Sequence, residues 1–154
     1  MTDSPLFSRR TLARKVAGDV LYQMDLTGDD LEKVLSAYNR MLREGIEESD
    51  IPSGEISEFA LDLIYLYMQH KAEIDSLIDS YADRWSLERM PMIDRNLLRL
   101  GFVELLYLQD IPTNVTINEY LELAKKFSTE DSGKFINGIM GKLVRDKAIE
   151  EAGN

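Results

Sequence analysis

The chain has 154 residues, 44% hydrophobic and 30% charged, enough for one domain with its own core and too few for two of ordinary size. It has no cysteine and a single histidine, His70, which excludes a disulfide, a thiolate zinc site and a cysteine nucleophile and leaves few routes to any metal site or catalytic triad. Its 28 acidic residues against 18 basic ones exclude a protein that coats nucleic acid by bulk charge, so any such site must be local.

Apolar residues recur at three- and four-residue intervals from end to end and strand signals are nearly absent, which predicts an all-α chain of six or seven helices in a single domain, residues 1–154. The first helix is expected from a cap at Ser8 to about Met24, burying Leu12, Ala13, Val16, Ala17, Val20 and Leu21. A second, Asp30 to Glu44, stops near Gly45, and Glu47 to Gly54 reads as a loop. The stretch Ile56 to Tyr81 breaks near His70 into two helices. Pro91 fits the first turn of the next, which carries Asp94, Arg99 and Glu104 in an otherwise apolar run ended by Pro112. Thr116 and Glu119 read as a capping box opening a helix lined by Ile117, Leu121 and Ala124. Ser132 reads as the cap of the last helix, with a frayed tail from Glu150 to Asn154. The amino terminus lacks the apolar run of a signal peptide and no stretch approaches a membrane span of roughly 20 apolar residues, so the cytoplasm is the expected location.

Charge is unevenly placed. Residues 1–20 are net +2, whereas residues 21–90 hold 16 acids against 6 bases. That acidic middle reads either as a solvated surface or as the docking face of a basic protein. On the first helix Arg10, Arg14, Gly18 and Tyr22 are spaced by four and drift only about 40° per step, forming one stripe. Guanidiniums that reach phosphates beside a ring that stacks on an unpaired base are the chemistry of single-stranded RNA binding. Read structurally, the same residues are ordinary surface arginines and a tyrosine at the core edge. On the last helix Lys134, Gly138, Lys142 and Arg145 share one side, with Phe135 at its border. No phosphate-cradling loop, nucleophile elbow or dinucleotide fingerprint is present, so no catalysis, cofactor or metal is expected. Asp94, Arg99 and Glu104 imply a buried pair or a protein interface.

These residues resemble the NusB transcription antitermination factor family. The likeness runs through Arg10, Ala13-Arg14 and Leu21-Tyr22-Gln23, then Asp94-Arg95, Leu97 to Leu100 and Glu104. It is strongest at Ile111-Pro112, Ile117-Asn118-Glu119, Glu122 to Lys125, Asp131-Ser132 and Lys134 to Gly138, while residues 25–85 match only in helical character. The resemblance implies two packed helical subdomains and an RNA-binding adaptor rather than an enzyme. It implies partners as well: the boxA sequence of nascent ribosomal RNA leaders, NusE (a small-subunit ribosomal protein) and the RNA polymerase antitermination complex. Carried onto this chain, the RNA contacts are Arg9, Arg10, Arg14, Tyr22, Asp131, Lys134 and Phe135, with Asp131 moderating affinity by repelling phosphate. Glu88 and Asp94 fall on the NusE-facing surface. Thr11 and Leu12 interrupt the basic cluster, which, with the acidic middle, makes a basic partner the expected aid to RNA binding. Two other readings stay open, a protein-interaction domain with little RNA binding of its own and a homodimer that covers its RNA face. An accessory module of an RNA-modifying enzyme is disfavoured, because no catalytic domain follows.

Overall fold

The structure, a computed structural model, describes residues 8–44, 55–83 and 85–153. Those residues form seven α-helices and one 3₁₀ turn, and the chain divides into two compact units, 1–65 and 66–154. In the first unit, α1 (Arg9–Thr27) starts where the Ser8 hydroxyl accepts the Thr11 N–H at 3.1 Å. It runs almost a turn past Met24, ending at Gly28, whose φ of 75° lets its N–H reach the Met24 carbonyl at 2.9 Å. The predicted apolar side, Leu12 to Leu21, is buried. Asp30 caps α2 (Leu31–Arg43) through the Lys33 N–H, and α2 packs on α1 with Val34, Leu35, Tyr38 and Leu42 inward. The stop near Gly45 and the loop from Glu47 to Gly54 lie outside the described residues. Ser57 opens α3 (Glu58–Gln69) by accepting the Ala60 N–H, and the division between units falls inside this helix.

The second unit is built around α5 (Met92–Tyr107), which packs on α4 (Lys71–Tyr81), α6 (Thr113–Phe127) and α7 (Glu130–Gly153). A helix enclosed on several sides is apolar nearly all round: Leu97, Leu98, Leu100, Phe102, Val103 and Leu105 are buried. At Gly101 an added Cβ would collide with the Met140 side chain of α7. The predicted break is found at His70, which leaves helical geometry between α3 and α4 and stacks on Tyr107 with ring centroids 4.1 Å apart.

Five helix boundaries of this unit differ from the sequence reading. Pro91 stands just before α5 rather than in its first turn, and α5 ends at Tyr107, well short of Pro112. The capping box at Thr116 is not formed: Pro112, with φ fixed at −57°, precedes α6, and Thr116 lies inside the helix with its hydroxyl toward Glu104. The inner face of α6 is accordingly Thr116, Tyr120, Leu123 and Ala124, with Ile117 and Leu121 only half-buried. Thr129 rather than Ser132 caps α7, its hydroxyl accepting the Ser132 N–H at 3.1 Å, and the helix continues to Gly153 instead of fraying from Glu150.

Arg99 and Glu104 of α5 are satisfied internally. Arg99 forks onto Asp75 of α4, Nε to Oδ1 at 3.0 Å and Nη2 to Oδ2 at 3.1 Å, and its Nη1 donates to Asn96 at 3.0 Å. The Tyr67 hydroxyl donates to the same carboxylate. Glu104 accepts the Tyr120 and Thr116 hydroxyls. The Tyr107 hydroxyl donates to Glu73 at 3.1 Å, and desolvation followed by that carboxylate raises its pKa above the ordinary tyrosine value.

Candidate functional site

Two surfaces hold the residues singled out from sequence, one in each unit. In the first, Ser8 fixes the start of α1 so that Arg9 and Arg10 emerge exposed in its first turn. The Arg10 guanidinium lies 4.7 Å from the centroid of the Phe59 ring on α3. Arg14 sits behind it, 5.4 Å from the same ring and only 2% exposed. The reading of Arg14 as a surface arginine of the stripe is therefore corrected. Its helical neighbours Thr11, Ala13 and Ala17 are buried, and its charge is held inside. Phe59 is the half-buried platform for both arginines. Tyr22 is half-buried and lines a groove of about 480 Å³ between α1 and α2 with Lys15, Asp19, Lys33, Tyr38 and Met41. Asp19 neutralises that groove locally, pairing with Lys15 at 3.0 Å and accepting the Tyr38 hydroxyl at 3.1 Å.

In the second unit, Asp131 and Lys134 are exposed on α7 and Phe135 is half-buried. Lys134 and Phe135 line a groove of about 370 Å³ with Tyr81, Trp85, Gly138 and Lys142. Asp131 and Glu130 occupy the first turn of α7, where a carboxylate meets the positive end of the helix dipole. Glu88 is exposed in the 3₁₀ turn Leu87–Arg89. Asp94 is not on the surface: it is 3% exposed and accepts the Ser128 and Ser132 hydroxyls, each at 2.7 Å. The expectation of Asp94 on an exposed NusE-facing surface is corrected, because its two oxygens tie the start of α5 to the junction of α6 and α7. Among the described residues no group of His, Asp and Glu is placed to hold a metal, and no helix is long and apolar enough to cross a membrane.

The seven helices, with exposed arginines on the first and a cation beside aromatic rings on the last, define an all-α protein with two local basic-aromatic surfaces on an acidic body. The model of the NusB family matches residues 11–145, and the chain belongs to that family. The match includes the 25–85 stretch in which the sequence alone showed only helical character. Similar relatives include the transcription antitermination protein NusB of a Nocardioides species, 41% identical over 91% of this chain and 96% of its own length. That of Desulfitobacterium hafniense is 42% identical over 94% of this chain and 95% of its own. Among solved structures, a chain from a crystal structure of antitermination factors NusB and NusE in complex with double-stranded RNA superposes with a TM-score of 0.72 at 30% identity, covering 89% of this chain and 96% of that one.

Proposed function

We propose that this chain is a cytoplasmic transcription antitermination adaptor, not an enzyme, which binds boxA-like single-stranded RNA of ribosomal RNA leaders together with NusE as part of an RNA polymerase antitermination complex. The observation that carries the reading is the likeness, over nearly the full length of both chains, to a NusB solved with NusE and RNA. Single-stranded RNA is favoured over duplex because Tyr22 and Phe135 are half-exposed rings, and only unpaired bases offer their faces for stacking. Arg9, Arg10 and Lys134 supply exposed cations for phosphates, Asp131 tempers them, and Glu88 belongs to the acidic surface that a basic ribosomal protein would meet. Arg14 acts from inside, with the Phe59 ring that also carries Arg10.

A titration of boxA-containing RNA at two salt concentrations, with this protein alone and with its NusE counterpart, tests the reading. Tighter binding by the pair, weakening as salt rises, is expected, and equal affinity for a scrambled RNA would overturn it. Arg10→Ala should reduce the slope of log affinity against log salt by about 1, the loss of one phosphate contact. Tyr22→Ala should weaken binding roughly fivefold or more with little change of slope, as loss of a stacked ring does. Both variants should melt as wild type does, and unchanged affinity in both would remove the first-helix surface from the site.

A further inference from the structure

Trp85, the single tryptophan of the chain, is 55% exposed, although burying an aromatic ring of that size is among the largest stabilisations a side chain offers. The described backbone around it is hydrogen-bonded. The Trp85 N–H donates to the Ala82 carbonyl at 3.0 Å, and two residues on the Leu87 N–H donates to the Asp79 carboxylate at 2.7 Å. Before it, the Lys142 ammonium of α7 donates to the Tyr81 carbonyl at 2.9 Å and to Asp83 at 3.2 Å, while the Tyr81 hydroxyl donates to Asp146 at 2.6 Å. The indole is thus held at the rim of the groove whose other rings are Tyr81 and Phe135.

The charge of this groove identifies its occupant. Lys142 is neutralised by Asp83, whereas Lys134 makes no ion pair with any described residue, so a positive charge is left over on a chain of net −10. At Gly138 an added Cβ would meet nothing within 4 Å, so the floor is open. Flat rings beside a spare ammonium fit a planar group that carries an anion, which is the make-up of a nucleotide. We propose that this groove takes an unpaired base of the bound RNA, with Trp85 and Phe135 as its stacking rings and Lys134 on the adjoining phosphate. The proposal rests on the RNA-binding reading above and extends it to Trp85, which neither residue spacing nor the family resemblance singles out.

Because Trp85 is the only indole in the chain, its emission reports on the groove directly. The full-length protein, with the NusE counterpart present and that partner's own emission subtracted, is titrated with a boxA-containing single-stranded RNA whose 5′ dye gives an independent isotherm by anisotropy. The indole should be quenched along the same isotherm. Trp85→Ala should weaken RNA binding roughly tenfold, Trp85→Phe should restore most of it, and neither should lower the melting temperature. RNA bound with unchanged indole emission and unchanged affinity in Trp85→Ala would overturn the groove assignment and leave the RNA-binding reading intact. Failure of the wild-type protein to bind the RNA, alone or with partner, would overturn both. Quenching by the partner alone, with no further change on adding RNA, would assign the groove to protein and overturn the proposal.

Discussion

Arg99→Ala should destabilise the helical unit around α5 by about 3 kcal/mol or more, among the largest losses expected from any single truncation in the chain. The guanidinium is buried and makes a two-pronged contact with Asp75 as well as a bond to Asn96. Its removal takes two charge-assisted bonds from the half-buried Asp75 carboxylate, which keeps the Tyr67 hydroxyl and the more distant Lys71 ammonium at 3.9 Å, and takes the donor from the Asn96 oxygen. The cost is the desolvation of groups left behind rather than the worth of the pair itself. Arg99→Lys should recover only part of the loss, because an ammonium cannot present two parallel donors to one carboxylate. Urea denaturation of wild type and both variants checks this. A loss under about 1 kcal/mol for the alanine variant would mean that water satisfies Asp75 and that the pair is a surface one in energetic terms.

That pair also marks the limit of what sequence can supply. Arg99 stood out as a charge in an apolar helix, but its partner Asp75 could not be told from the solvated acids around it, since their pairing depends on how α4 lies on α5. Asp79 is a similar case, an acid of the same segment spent on the Leu87 N–H. The acidity of residues 21–90 is thus partly internal ligand and only partly surface. Where a helix start is written in one residue next to its apolar run, as at Ser8 and Asp30, the sequence was legible. It misled at Thr116 and Ser132, hydroxyls that look like caps but are used by buried carboxylates from another helix. Arg14 misled for the same reason, because its environment comes from Phe59, 45 residues away along the chain. Trp85 carried no motif, and only its exposure beside Phe135 and Lys134 gives it meaning.

Asp94→Lys should abolish partner binding, but by unfolding its helical unit rather than by removing a contact. Asp94 is buried and accepts two hydroxyl bonds at 2.7 Å, from Ser128 in the link after α6 and Ser132 in the first turn of α7. These hydroxyls also lie within hydrogen-bond distance of each other at 3.0 Å, so the carboxylate closes a small network that sets where α7 begins. A lysine there would bury an ammonium and remove the carboxylate to which both hydroxyls donate, at a cost of about 3 to 5 kcal/mol. Asp94→Asn keeps one acceptor oxygen and should cost roughly 1 to 2 kcal/mol. Glu88, exposed on the 3₁₀ turn, separates folding from docking. Glu88→Lys should melt as wild type does, slow association with the basic partner and reverse part of its salt sensitivity, as a rim charge does. Thermal melts and stopped-flow association of the three variants distinguish the two roles. If Asp94→Lys melted like wild type while losing the partner, the carboxylate would have to turn outward in solution, and the buried network described for it would be wrong.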